Sequence, residues 1–575
     1  MTHIVTRSIR ALTAVACLAG APIAAFGQQA TPQVEADAGA YLAARSAGVQ
    51  NDYRAGATWF AKALETDPTN QGLLEGLVIS EIGVGEMTRA ADAAMRLSDA
   101  GGRSIAANIA LVAQDAAAGN YAALVSPPED RKIGNLLDQL VAAWAEFGNG
   151  RMSEAVERFD AISATDGLKA FGLYHKALAL AAVGDFEGAD EILSGRAAGP
   201  LIVNRRGIVA HLQILSQLER FDEALGLLDR SFGTEAEPET ARLRAQLEAK
   251  TPMAFDVVTT AQEGLSEVFF TMAAALNGEA EDGYTLLYSR VAAYLNPKHT
   301  EAILLTAGLL EQQGQLDLAG ETYAVFPPDH PAFYTAEIGR ADTLYATDRK
   351  EEAVAALKAL TESHPNIILV HMAYGDALRR EEQFKASAEA YDRAVAMIAT
   401  PTERHWGVFY SRGVAHERSG QWPKAEADFR QALALSPDQP QVLNYLGYSF
   451  VDRGENLEEA LALIERAVAA RPDAGYIIDS LGWAYFRLGR YDDAAAQMER
   501  ASLLEPVDPV VTDHLGDVYW AVGRELEARF QWRRALSFEP EEDDAQRIRR
   551  KLEGGLDAVL EEEGAPSLNA VANGN

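Results

Sequence analysis

Residues 475–506 read GYIIDSLGWAYFRLGRYDDAAAQMERASLLEP, and residues 509–540 read PVVTDHLGDVYWAVGRELEARFQWRRALSFEP. The two stretches start 34 residues apart (509 − 475) and agree in kind at spaced positions. Leu481, Gly482 and Tyr485 stand over Leu515, Gly516 and Tyr519. Ala494, Met498, Ala501 and Pro506 stand over Ala528, Trp532, Ala535 and Pro540. Self-similarity at such a period means stacked supersecondary units that pack on their neighbours, not a chain folded around one centre.

Each unit reads as two helices and a tight turn. Local positions 4, 7, 8 and 11 share one face of the first helix, because side chains three and four apart are neighbours. Position 8 is glycine at Gly447, Gly482 and Gly516, which lets the second helix come close. Position 15 is Gly314, Gly420, Gly489 or Gly523, a residue type suited to a helix stop. Position 20 is Ala319, Ala353, Ala425, Ala494 or Ala528, a second close-contact point. Position 32 is Pro331, Pro365, Pro437, Pro506 or Pro540, where the missing amide hydrogen ends the helix.

This pattern resembles the tetratricopeptide repeat family. The fold class it implies is all-α, a right-handed superhelical solenoid of helix hairpins. Counted back from the C-terminal end, units start near residues 509, 475, 440, 406, 368, 334, 300 and 266. Looser units, with Ala or Leu more often than Gly at position 8, start near 205, 170, 136, 71 and 37. The expected organisation is a degenerate solenoid over 37–232, an irregular stretch and possible boundary over 233–265, and a regular solenoid over 266–540. Polar capping helices are expected over 541–563, where acids open a helix and Arg547, Arg549, Arg550 and Lys551 close it. An unstructured tail is expected over 564–575.

At 575 residues a single globular core is not expected, and a solenoid avoids that limit. The chain carries 51 basic and 84 acidic residues, a net charge of −33, which argues against nucleic acid as a ligand. Residues 1–27 read as a secretory signal: Arg7 and Arg10, an apolar run from Ala11 to Ala25, then the small-x-small site Ala25-Phe26-Gly27. The mature chain is then expected to start at Gln28, with 28–36 unstructured, and to work outside the cytoplasm, in the periplasm. Outer-membrane association is the minority reading. The sole cysteine, Cys17, lies inside the signal, so the mature chain has no thiol or disulfide. Cys17 follows Val15-Ala16 as in a lipoprotein signal, but Ala14 stands where Leu is usual and the apolar run continues, so a lipid anchor is not expected. No stretch is apolar enough for a transmembrane helix.

No motif in the chain carries chemistry. Gly83-Val84-Gly85 and Gly148-Asn149-Gly150 follow no strand and continue into no nucleotide fingerprint, so they read as helix–helix turns. There is no nucleophile elbow and no metal-ligand spacing. The pairs His405 with His416 and His364 with His371 read as packing or surface histidines. Glu351-Glu352, Glu458-Glu459 and Asp492-Asp493 open second helices, where the helix dipole favours acids. No catalytic, cofactor or metal residue is expected, and no cofactor.

In the family, first helices line a concave groove, and positions 2, 5, 9, 12 and 13 face it. The resemblance therefore implies partner-binding residues Tyr410, Asn444, Tyr448, Tyr476, Asp479, Trp483, Phe486, Asp513, Asp517 and Trp520, with Arg418 and Arg487 beside them. Large aromatics in a groove bury much area at little entropic cost. The carboxylate-clamp variety of the family uses Lys and Asn at set positions, but Tyr410 and Val414 stand there in the 406 unit. The three groove aspartates point instead to a ligand of basic character. The implied function is a non-catalytic scaffold binding proteins or peptides, among them envelope components. The alternatives are a structural subunit of an envelope assembly or export machine for polysaccharide or protein and, of another class, an enzyme with its site in 233–268.

Overall fold

The computed structural model describes residues 37–233, 238–279 and 282–572. The expected signal over 1–27, Cys17 and the polar stretch 28–36 lie outside the described residues. The described residues form 32 α-helices, two short 3-10 turns and no strand, so the chain is an all-α repeat solenoid. They divide into two compact units, one ending at Gln114 and one starting at Asp115. The stretch 233–265, expected as a boundary, lies within the second unit.

The first unit holds two hairpins, Ala38–Val49 with Tyr53–Thr66 and Gln71–Val84 with Met87–Asp99. Phe60 packs on the backbone of Gly76, and Tyr53 on that of Gly83. Asp37, Asp52 and Asn70 cap three of its helices by accepting backbone hydrogen bonds.

The second unit begins with hairpins Asn135–Gly148 with Met152–Ser163, Lys169–Ala182 with Phe186–Leu193, and Arg205–Gln217 with Phe221–Phe232. A lone helix Pro238–Glu248 and an extended run follow. The next hairpin starts at Ala261, so the last residues of the irregular stretch belong to a first helix, Ala261–Leu276. Regular hairpins then open at Thr300, Phe333, Ile368, Trp406, Pro440, Gly475 and Pro509.

The spaced small residues explain the hairpin geometry. A Cβ on Gly482 would meet Met498 at 2.9 Å, and one on Gly516 would meet Trp532 at 2.5 Å. Ala319, Ala353, Ala425, Ala494 and Ala528 are all at most 1% exposed. Gly489 and Gly523, at φ 72 and 78, adopt the left-handed stop between paired helices. The acids that open second helices pair with the arginine before them: Arg349 with Glu352 at 2.7 Å and Arg490 with Asp493 at 2.7 Å. A further ladder joins neighbouring units, in which Arg466, Arg500 and Arg534 each donate to the carbonyl of a turn proline, Pro437, Pro472 and Pro506. That carbonyl lies in the turn past the helix end, outside the helix ladder, so a long side chain from the next unit can use it.

Two features differ from the expected plan. First, helix Ala261–Leu276 packs against helix Asn135–Gly148, so the first helices of the early hairpins surround a later one. Gly264 lies on the fully buried ring of Trp144. Second, the tail expected to be unstructured from Gly564 carries a short helix, Leu568–Ala572. Tyr491 donates to the carbonyl of Leu568 at 2.7 Å, and the backbone of Ala572 packs on Gly489. A residue with no side chain at 489 is what allows that approach.

Candidate functional site: the groove on the first helices

Positions 2, 5 and 9 of the early units are Arg206, Tyr174 and Trp144, and all three face helix Ala261–Leu276. At the centre is Glu267, whose side chain is 0% exposed. Tyr174 donates to it at 2.8 Å and Arg206 at 2.6 Å, with His299 Nε2 at 3.3 Å. Burial alone would raise this carboxyl, but Arg206, His299 and Tyr174 outweigh burial and hold it far below the usual carboxylate range. Beside it, Trp144 donates to His175 Nδ1 at 3.2 Å, and burial lowers His175 to about 4. The groove of the early hairpins is thus filled by the chain itself. The positional rule, applied to starts 136, 170 and 205, would have singled out these three residues; the occupant has no sequence signal.

The C-terminal groove positions differ as sharply among themselves, and several expectations are corrected. Asp517 is buried and accepts from Trp532 Nε1 at 2.8 Å, from Lys551 at 2.7 Å and from Arg547 at 3.4 Å. Asp513, half-buried, takes Lys551 at 2.7 Å on both oxygens. Trp520 donates to Asp557 at 2.8 Å, and the backbone of Gly555 lies on its ring. These three residues are therefore covered by helices Glu542–Gly554 and Leu556–Glu562 instead of lying open. Asp479 is buried and paired with His514 Nδ1 at 3.1 Å. Phe486 is buried, and Trp483 is stacked between it (4.7 Å) and the His514 ring (4.1 Å). The reason for the three aspartates and Trp520 is polar: such groups at groove positions are satisfied more cheaply by a neighbouring unit or the cap than by water, once that neighbour carries a cation or a carboxylate. For Phe486 and Trp483 it is ring packing within the hairpin and against the next unit.

Four groove residues keep polar groups without partners, although the Tyr410 ring packs on Trp406 at 6.2 Å, Phe429 at 6.1 Å and Tyr445 at 5.9 Å. Tyr476 is 45% exposed, and Tyr410, Asn444 and Tyr448 are half-buried. Asn444 Oδ1 is buried with no hydrogen-bond partner. Among the described residues the hydroxyls of Tyr410, Tyr448 and Tyr476 also have none. Tyrosines elsewhere on these hairpins are satisfied: Tyr391 donates to Asp376 at 2.7 Å, Tyr445 to Glu417 at 3.1 Å and Tyr519 to Glu499 at 2.9 Å. Burial, then the carboxylates of Asp479, Asp452 and Asp544, push the Tyr448 phenol well above its ordinary value. Arg418, named beside the groove, lies over the Phe384 ring, and Arg487 donates to the Asp452 carbonyl at 3.3 Å.

A cavity of about 830 Å³ opens between the early and middle hairpins, lined among others by Arg206, Arg242, Lys298, Glu239, Glu301 and Tyr334. Acids and bases alternate around it, and Arg205 pairs with Glu239 at 3.0 Å. The candidate histidines serve packing: His371 bonds the Pro365 carbonyl at 2.8 Å, and His405 Nδ1 accepts from the Thr402 backbone at 2.9 Å. Among the described residues no helix is long and apolar enough to cross a membrane.

This geometry is that of a repeat scaffold. The tetratricopeptide repeat pattern matches residues 338–403, 410–475 and 480–543. Over those residues the chain carries tetratricopeptide repeats, a fold that supports a scaffold for contacts between proteins. A TPR repeat-containing protein of Pseudomonas aeruginosa is 30% identical over 187 residues, which is 32% of this chain and 31% of that protein. The chain therefore matches under a third of that relative's length. Among solved structures, the APC/C hetero-tetramer Cut9-Hcn1 is similar over 90% of this chain and 96% of that one, at 17% identity and a TM-score of 0.40. A tetratricopeptide repeat protein from Parabacteroides merdae is similar over 44% of this chain and 97% of its own, at 16% identity and a TM-score of 0.37.

Proposed function

We propose that the chain is a non-catalytic adaptor outside the cytoplasm, which holds a segment of a partner protein against Tyr410, Asn444, Tyr448 and Tyr476. The observation that carries this reading is the contrast in hydrogen bonding. Three groove phenols and a buried amide oxygen lack partners, on hairpins where other tyrosines donate to carboxylates. A buried polar group left unmade costs about 1–3 kcal/mol, which applies to Asn444 Oδ1, and the three phenols beside it stand ready to bond a ligand that supplies donors and acceptors. A polypeptide main chain supplies both. Tyrosines add apolar area with few rotors to immobilise. The carboxylates of Asp452 and Asp544 near Tyr448 favour a basic side chain in that segment.

A photo-crosslinking residue at Tyr448 and another at Leu526, which is 83% exposed on a second helix, test the site. The reading expects a crosslinked partner from 448 and none, or a different one, from 526. Equal products from both positions would refute it. Location is tested by fractionation and by sequencing the mature N-terminus, expected at Gln28. A chain that retains Met1 and stays with cytoplasmic markers would refute that part.

A further inference from the structure

The inner face of the last two hairpins holds a cation site that the chain fills itself. Asp513 and Asp517 lie one turn apart on helix Pro509–Ala521, where like charges repel. Between them sits the ammonium of Lys551, which is 0% exposed and bonds both at 2.7 Å. The ring of Trp532 lies 5.6 Å below that ammonium, so the site has two carboxylates and an aromatic floor. Its outer edge is Trp520, sealed by Asp557 at 2.8 Å. The segment that brings these groups is held by apolar and polar contacts together. Ala545, Ile548, Leu556 and Val559 are buried, and Leu552, Leu560 and Leu568 are partly buried against the same core; the polar ties are Arg547 to Asp517, Arg529 to the Leu552 carbonyl, and Tyr491 to the Leu568 carbonyl.

We propose that residues 542–572 are a displaceable occupant of the groove, in which Lys551 holds the place of a lysine or arginine side chain from the partner segment. Binding to the last two hairpins then requires release of the tail, and the tail sets how far along the groove a partner extends. This rests on the reading that partners lie along the first helices, but its test does not depend on the Tyr448 contacts. The site selects a basic side chain because any occupant must neutralise Asp513 and Asp517 together. An apolar or acidic side chain would leave the buried carboxylate of Asp517 and the half-buried one of Asp513 uncompensated. The covered stretch includes Asp513, Asp517 and Trp520, three positions that the groove rule assigns to a ligand.

The test uses the full chain. Hydrogen exchange followed by mass spectrometry compares 542–572 with the hairpins over 475–536. A displaceable tail exchanges at least about tenfold faster than those hairpins, because it opens without them. A tail that exchanges only as fast as the hairpins opens only with them, which overturns the proposal. In Lys551→Met, tail exchange rises at least about tenfold further while hairpins 406–504 keep their protection. A labelled synthetic peptide of residues 542–563 then binds this variant at least about tenfold more tightly than the unmodified chain. The same peptide with methionine in place of its lysine does not bind. Equal binding of both peptides, or loss of protection throughout 475–536 in the variant, would show that the segment is an integral cap. Crosslinking from Tyr448 is read separately, so failure of this proposal leaves that reading standing.

Discussion

Removal of the Glu267 carboxylate is the sharpest perturbation of the self-filled groove. Its side chain is 0% exposed, and Arg206, at 13%, depends on it for a bond of 2.6 Å. In Glu267→Ala the guanidinium keeps the Val257 carbonyl at 2.5 Å and has Glu301 at 3.6 Å, while the Tyr174 hydroxyl loses its acceptor. Breaking one side of a buried ion pair costs about 3–5 kcal/mol, and the nearby Glu301 places this case near 3. Repeats unfold piecewise, so the cost is read locally and not from one melting curve. By hydrogen exchange, peptides over 135–148 and 261–276 should exchange about 100-fold faster, since each 1.4 kcal/mol is a factor of ten. Hairpins over 406–536 should be unchanged. The pair Glu267→Leu with Arg206→Met should be less harmful than Glu267→Ala alone, because it strands no charge. An acceleration below about fivefold, roughly 1 kcal/mol, would mean that helix 261–276 is held by apolar contact alone and would refute the argument.

Gly264→Ala should destabilise the same region by about 2 kcal/mol, because a methyl would enter the Trp144 ring in a packed core, outweighing its helix propensity. Gly308→Ala, where nothing lies within 4 Å of the new methyl, should stabilise by up to about 1 kcal/mol; hydrogen exchange of the peptides around each position reads both. Tyr448→Phe should change stability by under about 0.5 kcal/mol, since its hydroxyl has no partner, whereas Tyr391→Phe should cost about 1 kcal/mol through the lost Asp376 bond. Acidification should act oppositely on the two self-filled grooves. Burial lowers His175 to about 4, so the unfolded chain takes the proton first, and stability there falls as pH drops from about 6.5 toward 4. Burial, then the like charge of Asp517, raise Asp513 to about 6 against the pull of Lys551, so the folded tail gains stability as pH drops through 6 toward 3.8. His514 adds to that trend: burial lowers it, but Asp479, Asp513 and Asp517 raise it overall, so its contribution is full below 6.5 and fades as pH rises through its folded value. Exchange at pH 5 and 7.5, corrected for intrinsic rate, should show the regions moving in opposite directions.

The period, the paired helices and their close-contact points were legible from residues such as Gly482, Gly516, Ala494 and Pro506. Those depend on local backbone and on the nearest unit, whose spacing a repeat fixes. The positional rule named Asp513 and Asp517; Trp144 and Tyr174 hold the same positions in the looser early units, where the rule was not applied. It could not say what lies against them. Lys551 is 38 residues from Asp513, and Gly264 is 120 residues from Trp144 (264 − 144). Which helix returns to fill a groove depends on how small rotations between units add up along the solenoid, and no single residue encodes that sum. The sequence by itself therefore determined an all-α repeat scaffold with paired helices and their contact points. Only the tertiary structure decided that both ends of the second unit's groove are taken by the chain's own charges. It left Tyr410, Asn444, Tyr448 and Tyr476 with bonds still to make.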